Sequence, residues 1–384
     1  MSTRTQLVLP GLILALSLLT LGACVTVESD VPTVQWSEDE TISAATVETV
    51  AGGFDHPWGV AWLPDRSMLI TERGGRLWLL SPDGETRQEV GNPPQVFTGG
   101  QAGLLDISVA PDYESSGWIY LTYAAGSRDA NRTEVARARL DRSAPNAPQL
   151  VDREVIAGVN AYKSGTQHFG SRIAWLPDGT LLVSIGDGGN PPLRFDGGLQ
   201  REQAQEADTL FGSVIRLNPD GTLPPDAQDA FYTIGHRNVQ GMAVDPTDGT
   251  VWVSEHGSRG GDELNRLIPG ENYGWPEVSH SREYLRGTPV SRFQTRPEYA
   301  DPTLVWMETM APSGLAIQDG TLYAGGLQSE ALHVVTVASD DSFMSHRVLP
   351  IGARVRDVRV GPDDRLYLLT DESPNGRLLR VSWE

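Results

Sequence analysis

Short apolar runs that end at Pro-Asp, Asp-Gly or Asp-Pro pairs recur along the chain, each followed by a second apolar run. The copies are Gly59–Leu63 then Ser67–Thr71, Leu105–Val109 then Trp118–Tyr123, and Arg172–Leu176 then Thr180–Ile185. Gly241–Val244 then Thr250–Ser254, Gly314–Ile317 then Thr321–Ala324, and Val358–Val360 then Arg365–Thr370 complete the set. No 3.6-residue apolar period is sustained, so long helices are not expected. Strand, turn and strand repeated six times predicts an all-β chain folded as a six-bladed β-propeller. The turns, at positions 64, 111, 177, 246, 318 and 362, fall 44 to 72 residues apart. A four-stranded blade takes about 40–50 residues, so the wider intervals hold long loops. Pairing of Thr46–Val50 with Leu378–Val381 would close the ring. A Greek-key sandwich is the weaker alternative, because its strands rarely repeat one turn sequence six times.

The N-terminus departs from this pattern. Leu7–Leu21 is almost purely apolar, too short to span a membrane comfortably, where about 20 residues are needed, and it leads into Leu21-Gly22-Ala23-Cys24. Residues 1–23 read as an export signal with a lipobox, and Cys24 as the lipidated first residue of the mature chain. An ordinary signal peptide with a coincidental cysteine is the plainer alternative. Residues 24–45, polar and acidic, read as a flexible tether, leaving 46–384 as the propeller. Nothing after Cys24 marks inner-membrane retention, which favours the periplasmic face of the outer membrane.

With 50 acidic against 30 basic residues the net charge is -20, which repels nucleic acid and anionic lipid. One cysteine excludes a disulfide scaffold and any cysteine-based metal site. Because propeller loops converge at one end of the channel, chemistry is sought in polar clusters ahead of the repeated strands. These are Gly99–Leu105, Gln167–Arg172 and Gly235–Gly241; each alone could merely tie loops together. The loop from Ser254 to Glu263 carries three carboxylates among glycines. This fits calcium, which takes carboxylate and carbonyl oxygens, or a solvated acidic turn. Arg354 and Arg356, two apart on a strand, would face one way and suit an anion with several carboxylates. Arg359 breaks that alternation and is expected to face elsewhere.

Together with Ser254–Pro276, these motifs resemble the soluble quinoprotein aldose (glucose/sorbosone-type) sugar dehydrogenases, in order from about His56 to Asp371. The resemblance implies a six-bladed propeller that holds pyrroloquinoline quinone (PQQ) and Ca2+ and oxidises the anomeric hydroxyl of aldoses to lactones. It implies His168 as general base and Arg237 as the group that steadies charge on the quinone oxygen. Gln101, Asn238, Gln240, Arg354, Arg356 and Asp371 would contact the cofactor. Backbone carbonyls of Gly257 and Ser258 would bind the catalytic calcium, and Glu263 and Tyr273 a structural one. Ser258 stands where the family commonly has proline, which a backbone ligand tolerates. Gln328 stands where the family has a cofactor-contacting lysine, so weaker PQQ binding is expected. Electrons would pass to an unidentified periplasmic acceptor. The long loops Gly188–Gln200 and Ser279–Tyr299 are expected to line the sugar side. A non-enzymatic, lipid-anchored propeller that binds sugar or protein is one alternative. A Ca2+-dependent lactonase with a carboxylate cage at the channel centre is another.

Overall fold

The computed structural model describes residues 29–35, 40–144 and 146–383; residues 1–23 and Cys24 lie outside the described residues. Each predicted strand pair forms the two innermost strands of an antiparallel blade. The first blade runs Pro57–Trp62, Met68–Glu72, Leu77–Leu80 and Arg87–Glu89. The second runs Leu104–Val109, Trp118–Gly126, Asn131–Asp141 and Gln149–Gly158. Ile173–Trp175, Leu181–Ile185, Ser213–Leu217 and Phe231–Ile234 make the third. The fourth is Val239–Val244, Val251–Glu255, Asp262–Leu267 and Leu304–Trp306. Pro312–Gln318, Thr321–Gly326, Ala331–Val337 and Phe343–Pro350 form the fifth. In the sixth, Val355–Val360, Leu366–Thr370 and Gly376–Trp383 are completed by Ala45–Phe54 from the start of the chain. Its register, Val47↔Val381 and Thr49↔Leu379, is the expected closure.

The tether expectation needs correction for part of its length. Thr33–Val34 adds a parallel strand to Leu304–Trp306 of the fourth blade. Thr41 bridges Val348, and Ile42 is buried between the fifth and sixth blades. Ile42 and Val34 are isolated apolar side chains without a period, so the pattern along the chain gave them no weight. Burial against an existing sheet edge is enough to dock them.

Alternating side chains of neighbouring blades meet in apolar clusters around the ring. Leu69, Leu104 and Leu121 join the first and second blades, and Val60, Ile70 and Leu369 join the sixth to the first. Near the axis the second strand of a repeat ends in a hydroxyl that reaches the next blade. Thr71 Oγ1 donates to Leu105 O (2.6 Å), Thr122 Oγ1 to Ser171 O (2.7 Å) and Ser184 Oγ to Val239 O (3.1 Å). Ser313 carries the series to Val355 O (2.5 Å).

The axis itself holds charge. Arg172 is 1% exposed and meets Asp357 Oδ1 at 2.7 Å and Asp106 Oδ1 at 3.2 Å, with its guanidinium 4.3 Å from the Trp58 ring centroid. Arg359, expected to face elsewhere, turns to the same pair of carboxylates, at 2.7 Å from Asp106 and 3.1 Å from Asp357. Innermost strands shift register between Leu104 and Ile107, Val239 and Gly241, and Val355 and Asp357. Such bulges re-aim side chains, and two bulged residues are Gln240 and Arg356, which meet across the channel.

Candidate functional site

The hairpin of the third blade pairs Ile173 with Val183 and Trp175 with Leu181. Continued beyond the strands, that register sets His168 beside Asp187. Imidazole Nδ1 lies 2.6 Å from Asp187 Oδ1 and carries the proton, because a carboxylate faces it. Nε2 is left as the acceptor, with Asn190 Nδ2 3.3 Å away. Asp187 is oriented in turn by Gly189 N (2.9 Å) and Trp275 Nε1 (2.8 Å). Burial, then the Arg237 guanidinium, hold His168 below the usual imidazole range despite Asp187. The imidazole is therefore neutral at physiological pH. Its backbone takes φ 50°, a left-handed conformation that costs about 1 kcal/mol or more in a residue with a side chain. The main-chain bond from His168 N to Gln101 Oε1 (2.7 Å) helps to hold it. Gly186 is required opposite, since a Cβ there would sit 2.3 Å from His168 O.

Arg237 extends this pair into a line. Its Nη2 donates to Asn190 Oδ1 (2.7 Å) and its Nη1 to His256 O (3.1 Å). Tyr284 OH, on the long loop of the fourth blade, lies 3.4 Å from Nη2. Arg237 Nε, Asn238 Nδ2 and Arg356 Nε are buried donors without a protein acceptor.

Beside this line lies a cavity of about 210 Å³. Gln101, Gln240, Gln328, Arg354, Arg356 and Asp371 line it, together with Trp58, Arg73, Phe169 and His256. His168, Arg237 and Asn238 flank it behind Phe169, Gly170 and His256. Arg356 donates to Gln240 Oε1 (2.9 Å) and Asp371 Oδ2 (3.0 Å), while Arg354 stands half-exposed and donates to Leu327 O (3.0 Å). Burial alone would raise the Asp371 carboxyl. Arg356, Arg73 and the His56 Nδ1 contact at 2.7 Å outweigh it and hold the group well below the carboxylate range. Gln328, by contrast, is exposed at the rim.

The three carboxylates of the 254–263 loop do not form one cluster: Glu255 and Glu263 face each other across paired strands and share Asn265 Nδ2 (3.1 and 3.4 Å), whereas Asp262 turns away. Glu255 accepts from His236 Nδ1 (2.8 Å) and Arg237 N (2.7 Å). Asp262 is an internal anchor that accepts from Gly257 N (2.7 Å), Met310 N (2.9 Å) and Ala311 N (2.9 Å). Only Glu263 keeps an under-used carboxylate; burial, then Glu255, push it up to about 8. Among the described residues no group of three or more His, Cys, Asp or Glu side chains forms a metal cage. Gly257 and Ser258 follow His256 at the cavity, with Ser258 N tied to Ser281 Oγ (3.1 Å). Tyr273 lies away from the cavity, stacked on His236 with its OH donating to Arg266 O (2.5 Å). The lactonase alternative fares no better, since the axial carboxylates Asp106 and Asp357 are held by Arg172 and Arg359.

The profile of the Glucose / Sorbosone dehydrogenase family matches residues 54–380. The chain belongs to that family. The aldose sugar dehydrogenase YliI of Escherichia coli is 34% identical over 90% of this chain and 94% of its own. A crystal structure of the soluble aldose sugar dehydrogenase of Escherichia coli superposes with TM-score 0.80, at 33% identity, over 88% of this chain and 100% of that one. The PQQ-bound aldose sugar dehydrogenase of Streptomyces coelicolor superposes with TM-score 0.73, at 28% identity, over 89% and 100%.

In this sugar dehydrogenase relative the sequence reasoning missed Asp187, Asn190, His256, Arg73 and Trp58. Asp187 was within reach, because the turn at Pro177-Asp178-Gly179 fixes the hairpin register that brings it to His168. Asn190, Arg73 and His256 come from loops whose course no period encodes.

Proposed function

We propose that this protein oxidises the anomeric hydroxyl of aldoses to lactones with PQQ and Ca2+. The observation that carries this reading is a neutral His168, oriented by Asp187, near a cavity lined by Arg356 with its unpaired Nε, with two further buried, unpaired donors behind its wall. Arg237 Nε, Asn238 Nδ2 and Arg356 Nε need acceptors, and a flat polyanion supplies them. Arg354, Arg356, Gln101, Gln240 and Asn238 would hold PQQ. Carbonyls of Gly257 and Ser258 offer the oxygen donors that calcium takes, and Glu263 with Tyr273 would hold a second ion. When bound, PQQ supplies a two-electron acceptor for the hydride from C1 of the sugar. His168 Nε2 receives the hydroxyl proton, Asp187 keeps the imidazolium oriented, and Arg237 keeps a positive charge beside the reacting carbon. Cys24 would anchor the protein by lipid to the periplasmic face of the outer membrane, where a periplasmic acceptor takes the electrons.

The test is reconstitution with PQQ and calcium, followed by dye reduction with a panel of aldoses. Lactone hydrolysis without PQQ, in place of dye reduction, would overturn the reading. Gln328 refines it. At the exposed rim a lysine would meet a cofactor carboxylate through solvent, so Gln328→Lys is expected to tighten PQQ by about tenfold at most. Titration of apoprotein with PQQ measures this, and unchanged or weaker affinity counts against the rim assignment.

A further inference from the structure

Of the 30 Lys and Arg residues in the chain, Lys163 is the single lysine, and it is 3% exposed. Its Nζ has no hydrogen-bond acceptor and lies 4.1 Å from the centroid of the Phe169 ring, which walls the cavity. Reciprocal main-chain bonds to Asn131 (2.8 and 2.9 Å) fix the backbone. The stem packs on Gly188, where a Cβ would come within 2.6 Å of Lys163 Cδ and of Gln200 Nε2. Gly188, on which the stem packs, adjoins Asp187, and Phe169, under the Nζ, adjoins His168, so the charged groups near it are the Asp187 carboxylate, which favours its ammonium, and His168, whose imidazolium it opposes. Asn131, Phe169, Gly188 and Gln200 bring no charge from the other sides.

We propose that Lys163 is a positioning residue that sets the proton affinity of His168 from behind Asp187, its ammonium weakening the imidazole as a base and its neutral amine restoring it. This rests on His168 as the proton acceptor. A buried cation without an acceptor is costly, and burial, offset in part by Asp187, pulls the Lys163 amine down to about 7. Below that pH the ammonium opposes the imidazolium that forms as His168 takes the sugar proton. Above it the opposition is gone. Arginine would stay charged throughout, which gives a physical reason for lysine at this one position in a chain otherwise built with arginine.

Isotope-labelled lysine gives one side-chain NMR signal from this protein, so its midpoint is read directly on the apoprotein and is expected near pH 7. His168, assigned by difference against His168→Asn, is titrated in the same samples. Lys163→Met is expected to raise the His168 midpoint by about 0.5–1 pH unit, and Lys163→Arg to leave it at or below the wild-type value. A merely structural role would move both variants alike. With PQQ, calcium and an aldose, wild-type kcat/KM is expected to climb by about three- to tenfold between pH 6 and 8 through this step, and Lys163→Met to lack it. The proposal is overturned if the lysine signal stays protonated to pH 9, or if the His168 midpoint is the same in all three proteins. Should Lys163→Met not fold, the wild-type lysine midpoint and Lys163→Arg still decide. Coupled NMR titrations without sugar oxidation would sink the dehydrogenase reading and leave the electrostatic one standing.

Discussion

Asparagine at position 168 is expected to lower kcat for aldose oxidation by about 10²–10⁴-fold with PQQ affinity nearly unchanged. Asparagine is chosen because it tolerates the left-handed backbone at φ 50°, so the loss reports chemistry instead of a rearranged loop. The bond from the main-chain amide to Gln101 does not involve the ring. Asp187 keeps Gly189 N and Trp275 Nε1 as donors when the imidazole is gone, so no buried carboxylate is stranded. What disappears is Nε2, an acceptor held neutral near Arg237 with Asn190 Nδ2 3.3 Å away. Steady-state kinetics with saturating PQQ and calcium, alongside a PQQ titration, check both halves. Full turnover in His168→Asn would remove the assignment; loss of PQQ binding would reassign the side chain to the cofactor site.

Much of this arrangement was legible in the chain because a propeller repeats its innermost hairpin and the turn residues mark each copy. Six turns were enough to place six blades, and the closing strand followed from the two unpaired ends. The same copies held a signal that went unread: Thr71, Ser184 and Ser254 end their strands with hydroxyls where an apolar residue would be expected, and they stitch neighbouring blades. Gln101, Gln240 and Arg356 were legible as cavity-lining positions because they stand next to repeated strands. Asn190 and Tyr284 were not, because they ride on the excursions 186–212 and 268–303, whose conformation depends on contacts between blades. The acidic loop was legible only in part, for a different reason. Carboxylates close in sequence read as one cluster, yet a strand sends successive residues to opposite faces, so Asp262 turns away from Glu255 and Glu263, which share Asn265.

The largest stability effect is expected from Arg172→Met. Its guanidinium fills the centre of the ring, bonded to Asp357 and Asp106 and donating through Nε to Gln240 O (2.9 Å). Methionine matches the length and the apolar contact with Trp58 but removes the charge, leaving Arg359 as the one cation shared by two buried carboxylates. Breaking a buried pair from one side costs about 3–5 kcal/mol, a fall in Tm on the order of 4–7 °C for a domain of this size. Because Asp357 also accepts from Val60 N (3.1 Å) and Asp106 from Ile173 N (2.8 Å), the stranded charges pull on three blades at once. The double variant Arg172→Met, Asp106→Asn keeps an acceptor for Ile173 N and leaves Arg359 balanced by Asp357 alone, and is expected to recover more than half of the loss. Calorimetry on the three proteins separates the cases. If the single variant melts within 2 °C of wild type (roughly 1 kcal/mol or less), the axial charges are not what holds the blades in register. If the double variant melts no higher than the single one, lost packing around Trp58 is the cause. The intended pattern, a deep loss that one neutral partner repairs, ties the stability of the ring to the same axis that positions Gln240 and Arg356 at the cavity.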